Sequence, residues 1–195
     1  MPNHDFIVGI SKLYDEFKQH DATQISRIQR FRNIEPDSAQ FLSMLIRIQQ
    51  PKLILEIGTS TGYSTLWLAE AAQGIQAKII TLEIDEQRSQ HAQKYAQKFG
   101  LEKYIEFWVG DAADYLEQHT SIFDFILLDA ERREYVNYWQ DLKRLLRKNG
   151  GILIVDNVIS HKAEVKDFLS LIEKETDFMT TTLALGAGLF MVVAK

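Results

Sequence analysis

The sequence predicts an α/β fold: a doubly wound, seven-stranded sheet with an antiparallel last strand and helices ahead of it. Three observations carry this. An apolar strand, Leu53-Ile54-Leu55-Glu56-Ile57, runs into a turn with glycines at 58 and 62 and then into a helix opening near Tyr63 and Ser64. From Lys52 onward short apolar runs alternate with amphipathic stretches, the pattern of strands buried on both faces of a parallel sheet. The tail breaks that pattern, because Phe178 to Leu185 and Leu189 to Ala194 are strand-like runs joined by Gly186-Ala187-Gly188, which makes a hairpin.

Taken in order, the first fifty residues read as helical. Phe6, Ile10, Leu13, Tyr14 and Phe17 recur at helical spacing, and Phe41, Leu42, Leu45, Ile46 and Ile48 do so again after Pro36. Between them Arg27-Ile28-Gln29-Arg30-Phe31-Arg32 reads as a solvated basic helix face, with a substrate-facing or partner-facing patch as the alternative. The strands expected next are 52 to 57, 77 to 83, 104 to 109, 123 to 129 and 150 to 156, with Gly100 and Gly150 where helices should stop.

The 195 residues suffice for one domain, with 1–50 as a helical cap and 52–195 as the α/β core. A net charge of -5 offers no general attraction to nucleic acid or an anionic membrane, so a small molecule is the expected partner. Assembly as a homodimer is left open. The absence of cysteine excludes disulfides and thiolate metal sites. With neither a leader-like start nor a run long enough to cross a bilayer, the expected address is cytoplasmic.

The turn after the first strand carries the chemistry. Glu56, Gly58 and Gly62 form E-x-G-x-x-x-G, in which glycines let the backbone turn sharply and approach a ligand while the helix N-terminus offers unpaired N–H groups. An ordinary strand-to-helix turn is the plain alternative. Glu83, ending the next strand, falls where doubly wound sheets place the carboxylate that grips ribose hydroxyls. Ser60 and Tyr63 break the G-x-G-x-x-G dinucleotide fingerprint, and the form present looks instead like the S-adenosylmethionine site of class I methyltransferases.

Ligands of open α/β sheets bind beyond the carboxyl ends of the strands. There stand Glu83, Asp111-Ala112, Asp129 and Asp156-Asn157. Asp111 suits an adenine amino group, and equally a helix N-cap. Asp129, Asp156 and Asn157 offer three hard oxygen donors suited to Mg²⁺, with Ca²⁺ or Mn²⁺ as alternatives. A turn at Asp156-Asn157 and a helix cap at Asp129 explain the same residues without a metal.

Phe123 to Ala130, the helix opening Glu131-Arg132-Arg133-Glu134-Tyr135, and Gly150 to Val158 together resemble the cation-dependent O-methyltransferases of the caffeoyl-CoA and catechol type, a Rossmann-like class I methyltransferase family. The likeness covers 52 to 160, extends to the closing hairpin, and is loose in the N-terminal helices, through Ile34-Glu35-Pro36 and Gln40. It implies methyl transfer from S-adenosyl-L-methionine to one of two vicinal hydroxyls on a phenolic small molecule. It also implies metal ligation by Asp129, Asp156 and Asn157, and a cofactor site lined by Glu56, Gly58, Gly62, Ser64, Glu83 and Asp111, with Ala112 and Asp129 at its border. Where the family carries a lysine base this chain has Arg132, which stabilises a phenolate but does not take its proton. His161 is the candidate substitute base, since histidine's unperturbed pKa is near ~6.5, and a surface residue just past Ser160 as a prospective helix N-cap is the plain alternative. The short stretch after Asn157 suggests a compact bacterial-type member. Methylation of an RNA 2′-hydroxyl, with the Arg27 to Arg32 cluster as a docking patch, and a cofactor-binding module without catalysis are the competing readings.

Overall fold

The protein, a computed structural model, is described for residues 2–26 and 29–195. Helices α1 (His4–Thr23) and α2 (Pro36–Gln49) precede β1 (Leu53–Ile57), α3 (Tyr63–Ile75), β2 (Lys78–Glu83), α4 (Glu86–Lys98) and β3 (Ile105–Val109). Then come α5 (Ala112–Gln118), β4 (Phe125–Leu128), α6 (Tyr135–Leu145), β5 (Ile152–Val155), α7 (Lys162–Glu173), β6 (Phe178–Leu183) and β7 (Leu189–Ala194). The sheet order is β3-β2-β1-β4-β5-β7-β6. β7 runs antiparallel to both its neighbours, so it alone is reversed, as expected from the hairpin.

Alternation along each strand divides the core into two layers. On one face Ile54, Ile79, Phe125, Leu127, Ile152 and Ile154 pack against α1, α2, α3 and α4; on the other Leu55, Ile57, Ile126, Leu128, Leu153 and Val155 pack against α5, α6 and α7. Fully burying one such aliphatic side chain stabilises by roughly 1.5 to 3 kcal/mol, so the central strands hold the sheet rigid where the polar residues leave it. Asp124 secures the opposite end, accepting from the Lys52 and Leu53 N–H groups at 2.6 and 3.0 Å and pairing with Arg147 at 2.8 Å.

The N-terminal helices depart from expectation in two places. Ile48, counted as a core position, is 76% exposed, while Leu42 and Ile46 are buried as expected, beside Ser38, Ala39 and Ser43, with Phe41 and Leu45 partly buried. The described part of the basic cluster, Arg30 to Arg32, is not a helix face. Arg27 and Ile28 lie outside the described residues, while 30–35 run as irregular chain from the end of α1 to α2.

Candidate functional site

Beyond the carboxyl ends of β1, β2, β3, β4 and β5 lies a cavity of about 620 Å³. Its wall contains Gly58, Ser64, Glu83, Asp111, Ala112, Asp129, Arg132, Asn157 and His161, so most of the residues expected from the sequence meet at one place. The parallel sheet dictates this, because each of those strands ends on the same side.

Glu56 and Gly62 are not part of that wall. Glu56 is 0% exposed and accepts hydrogen bonds from the hydroxyls of Ser64 at 2.6 Å, Thr65 at 2.5 Å and Thr81 at 2.6 Å. It ties β1, β2 and the first turn of α3 together beneath the glycine turn. Burial pushes its carboxyl up to about 7, the three hydroxyls acting against that rise. The glycines serve internal packing: a Cβ on Gly58 would stand 2.0 Å from the Asp129 carbonyl oxygen, and one on Gly62 would stand 2.8 Å from the Ala92 Cβ. Both also have positive φ, +102° and +89°, which a side chain strains. Gly58 thus lets the turn settle on the end of β4, bringing the cofactor side of the cavity against Asp129.

At the β2 end, Glu83 Oε2 accepts from the Ser60 N–H at 2.7 Å and Oε1 from the Asp85 N–H at 3.0 Å. Backbone donors fix the plane of the carboxylate, and each oxygen keeps a lone pair for hydroxyls. Asp111 caps α5 by accepting from the Ala113 N–H at 2.9 Å through Oδ1. The cap reading of Asp111 is met, and the same residue lines the cavity.

At the β4 and β5 ends, the Asn157 amide donates to Asp129 Oδ1 at 2.9 Å and to Asp156 Oδ2 at 3.0 Å. Asn157 has φ +67°, a left-handed conformation that asparagine tolerates better than most residues. The turn reading is therefore met as well, with the His161 N–H donating to the Asn157 carbonyl at 3.0 Å. Asp129 is not a helix cap. Asp156 is 1% exposed and lies behind Asn157, with Oδ1 buried and without a hydrogen-bond partner. Burial and mutual repulsion push the Asp156 carboxyl up; burial also raises Asp129, against the pull of Arg132 and Arg32. Among the described residues no three histidine, aspartate or glutamate side chains converge for a metal. Two carboxylates and one amide lie together, with the Asn157 amide nitrogen between the carboxylates; a hard cation there would need that side chain turned to present its oxygen, and the partnerless Asp156 oxygen is the free acceptor beside it.

Arg132, in a single 3-10 turn (Arg132–Glu134) after β4, is 6% exposed and gives its Nε to Glu164 Oε2 at 2.9 Å. Glu164 belongs to the first turn of α7. His161, not Ser160, is the N-cap residue of that helix, with Ser160 Oγ and His161 Nδ1 2.8 Å apart. The far wall of the cavity is formed by Phe31, Arg32, Asn33, Ile34 and Glu35; for Phe31 and Arg32 this is the alternative reading of the basic cluster, a patch facing the site, while Asn33, Ile34 and Glu35 were not expected there. Asn33 bonds reciprocally with Thr61 at 2.9 and 3.2 Å, and Tyr14 donates to Glu35 at 2.5 Å. The arginines between the helices were the available signal, and their ambiguous periodicity left a helix face and a patch facing the site both open.

Similarity to known proteins converges on the same architecture. Residues 11–179 match the family described as O-methyltransferase. The catechol O-methyltransferase of Niastella koreensis is 37% identical over 131 residues, 65% of this chain and 58% of that protein. The catechol O-methyltransferase of Mycobacterium tuberculosis is 36% identical over 140 residues, 71% of this chain and 61% of that protein. The chain thus spans less than two thirds of either relative's length. Among solved structures, the O-methyltransferase from Bacillus cereus in complex with SAH superposes with a TM-score of 0.77 at 27% identity, covering 100% of this chain and 93% of that one. With the glycine turn, the strand-end acids and the reversed seventh strand all in place, the chain belongs to the O-methyltransferase family.

Proposed function

We propose that the protein transfers a methyl group from S-adenosyl-L-methionine to one of two vicinal hydroxyls on a phenolic small molecule, assisted by a divalent cation. The observation that carries this reading is one cavity with two unlike ends: Glu83 and Asp111 at β2 and β3, and Asp129, Asn157 and Arg132 at β4 and β5, with Asp156 bonded to Asn157 behind them. The first end suits ribose hydroxyls and an adenine amino group, the second a hydroxyl pair. The relatives named for catechol methylation and the SAH-bound Bacillus cereus structure support the same assignment.

In the reaction the phenolate oxygen attacks the methyl carbon, the S–C bond breaks, and the sulfonium leaves as a neutral thioether. The residues of this chain hold donor and acceptor in line, which is where most of the acceleration arises in such transfers. Glu83 holds the ribose, and Arg132, steadied by Glu164, places a fixed positive charge beside the phenolate. Asp129, Asp156 and Asn157 would hold Mg²⁺, or Ca²⁺ or Mn²⁺ in its place, which when bound lowers the pKa of a hydroxyl it contacts. His161 is the residue we assign to take the proton. The whole chain would act as one domain. No helix among the described residues is long and apolar enough to cross a membrane, and a cytoplasmic address fits a small soluble substrate.

Product analysis over a panel of catechols and matched monophenols, with S-adenosylmethionine and Mg²⁺, tests the proposal. Monomethyl ethers should form from the catechols alone; equal methylation of monophenols would remove the vicinal pair from the account.

A further inference from the structure

Asp21 stands in the last turn of α1, the negative end of that helix's dipole, where an acidic residue is unfavourable. Its carboxylate has another task. Oδ1 accepts from the Phe31 N–H at 2.7 Å and Oδ2 from the Arg32 N–H at 3.0 Å, closing the chain that returns from α1 toward α2. Burial would raise this carboxyl, yet the N–H groups of Arg32 and Phe31, with His20 beside it, hold it below its ordinary value. The His20 ring stacks on Phe31 at 3.8 Å with the planes 7° apart. Arg32 is held at φ +55°, a left-handed conformation that costs energy for any residue but glycine and persists only where neighbours impose it.

The segment fixed in this way touches the cofactor side of the cavity. The Phe31 carbonyl accepts from Ser60 Oγ at 2.7 Å, and the Ser60 N–H donates to Glu83 Oε2 at 2.7 Å. A continuous line of hydrogen bonds therefore runs from Asp21 through Phe31 and Ser60 to Glu83. Ser60 is itself left-handed, at φ +48°, so it too depends on its partners for its conformation.

We propose that Asp21 is a positioning residue for the cofactor site, acting through the Phe31 peptide and Ser60 to fix the Glu83 carboxylate. The inference rests on the assignment of the cavity to S-adenosylmethionine. Asp21 does not touch the ligand; it sets the geometry of the residue that does. Losing a well-placed acceptor for two N–H groups frees residues 30–35, and the ligand must then order them on binding.

S-adenosylhomocysteine titrated calorimetrically into the full chain tests this with wild type, Asp21→Asn, Ser60→Ala and the double variant. Asp21→Asn should weaken binding about tenfold, which corresponds to ~1.4 kcal/mol. In the Ser60→Ala background the same change should weaken it less than about twofold, because the line is already cut; a purely structural role for Asp21 would give independent, multiplying losses. Hydrogen exchange on the wild type provides a reading that needs no variant: the Phe31 and Arg32 amides should gain protection when S-adenosylhomocysteine binds. Unchanged affinity in Asp21→Asn, multiplying losses, or unchanged protection would each overturn the inference. Failure of the wild type to bind S-adenosylhomocysteine would instead overturn the cofactor assignment, and the inference with it.

Discussion

Replacing Glu56 with glutamine should flatten part of the pH dependence of stability. The carboxyl is wholly buried, and that burial raises it from its ordinary 4.5 to about 7. The folded protein thus keeps a proton that the unfolded chain releases, and stability falls as pH rises between those values. Its contribution is complete below 4.5, shrinks on the way to about 7 and is gone above that. At ~1.4 kcal/mol for each pH step of one, the interval from 4.5 to about 7 corresponds to about 3 kcal/mol. Glutamine stays neutral, and the hydroxyls of Ser64, Thr65 and Thr81 still find an amide oxygen and can accept from the amide nitrogen. Urea unfolding of both proteins from pH 5 to pH 8 provides the measurement. The difference between wild type and variant should change by about 2.5 kcal/mol from pH 5 to pH 8, slightly less than the whole because the lower end of the interval lies outside the range. Parallel profiles would refute the reasoning and mean that Glu56 is ionised at all these pH values.

Glu83→Ala should weaken binding of S-adenosylmethionine by roughly 1.5 to 3 kcal/mol, the worth of hydrogen bonds to a charged group, while leaving the fold intact; calorimetric titration reads this, and unchanged affinity would mean that the ribose lies elsewhere. Gly58→Ala places a Cβ 2.0 Å from the Asp129 carbonyl at φ +102°, so its melting temperature should fall well below that of Gly100→Ala, where no atom lies within 4 Å of the added Cβ. Arg132→Lys should add a titration to the pH profile of kcat that the arginine protein lacks, and His161→Ala should lower the rate mainly near neutrality. Full activity in His161→Ala would leave solvent as the proton acceptor.

What the sequence made legible follows from what a parallel sheet requires. Strands buried on both faces must be continuously apolar, so β1, β2, β4 and β5 stood out, and their shared direction placed Glu83, Asp129 and Asn157 at one edge before any coordinates. The reversed β7 followed from the glycine hairpin, whereas the order of the strands came only from the structure. The role of Glu56 was not legible. A carboxylate next to a glycine turn looks the same whether it faces a ligand or, as here, lies on the α3 side of β1 beneath Ser64, Thr65 and Thr81. The place of segment 30–35 was left open between a helix face and a patch facing the site, because its structure comes from distant partners, Asp21, Ser60 and Thr61, and not from periodicity of its own. Ile48 shows the same limit from the other side. It has the spacing of a core residue, but α2 ends at Gln49, whose side-chain nitrogen reaches the Asp124 and Gly150 carbonyls at 2.7 and 2.8 Å, and Ile48 is left facing solvent.

Transfer of a labelled methyl group from S-adenosylmethionine to catechol, measured with Mg²⁺ and again in excess chelator, tests the central claim most directly. The account predicts a monomethyl ether with Mg²⁺, loss of turnover in chelator and in Asp156→Ala, and cofactor binding preserved in both. No transfer to any catechol with Mg²⁺ present would contradict the assigned reaction, and full transfer in chelator would contradict the role given to Asp129, Asp156 and Asn157.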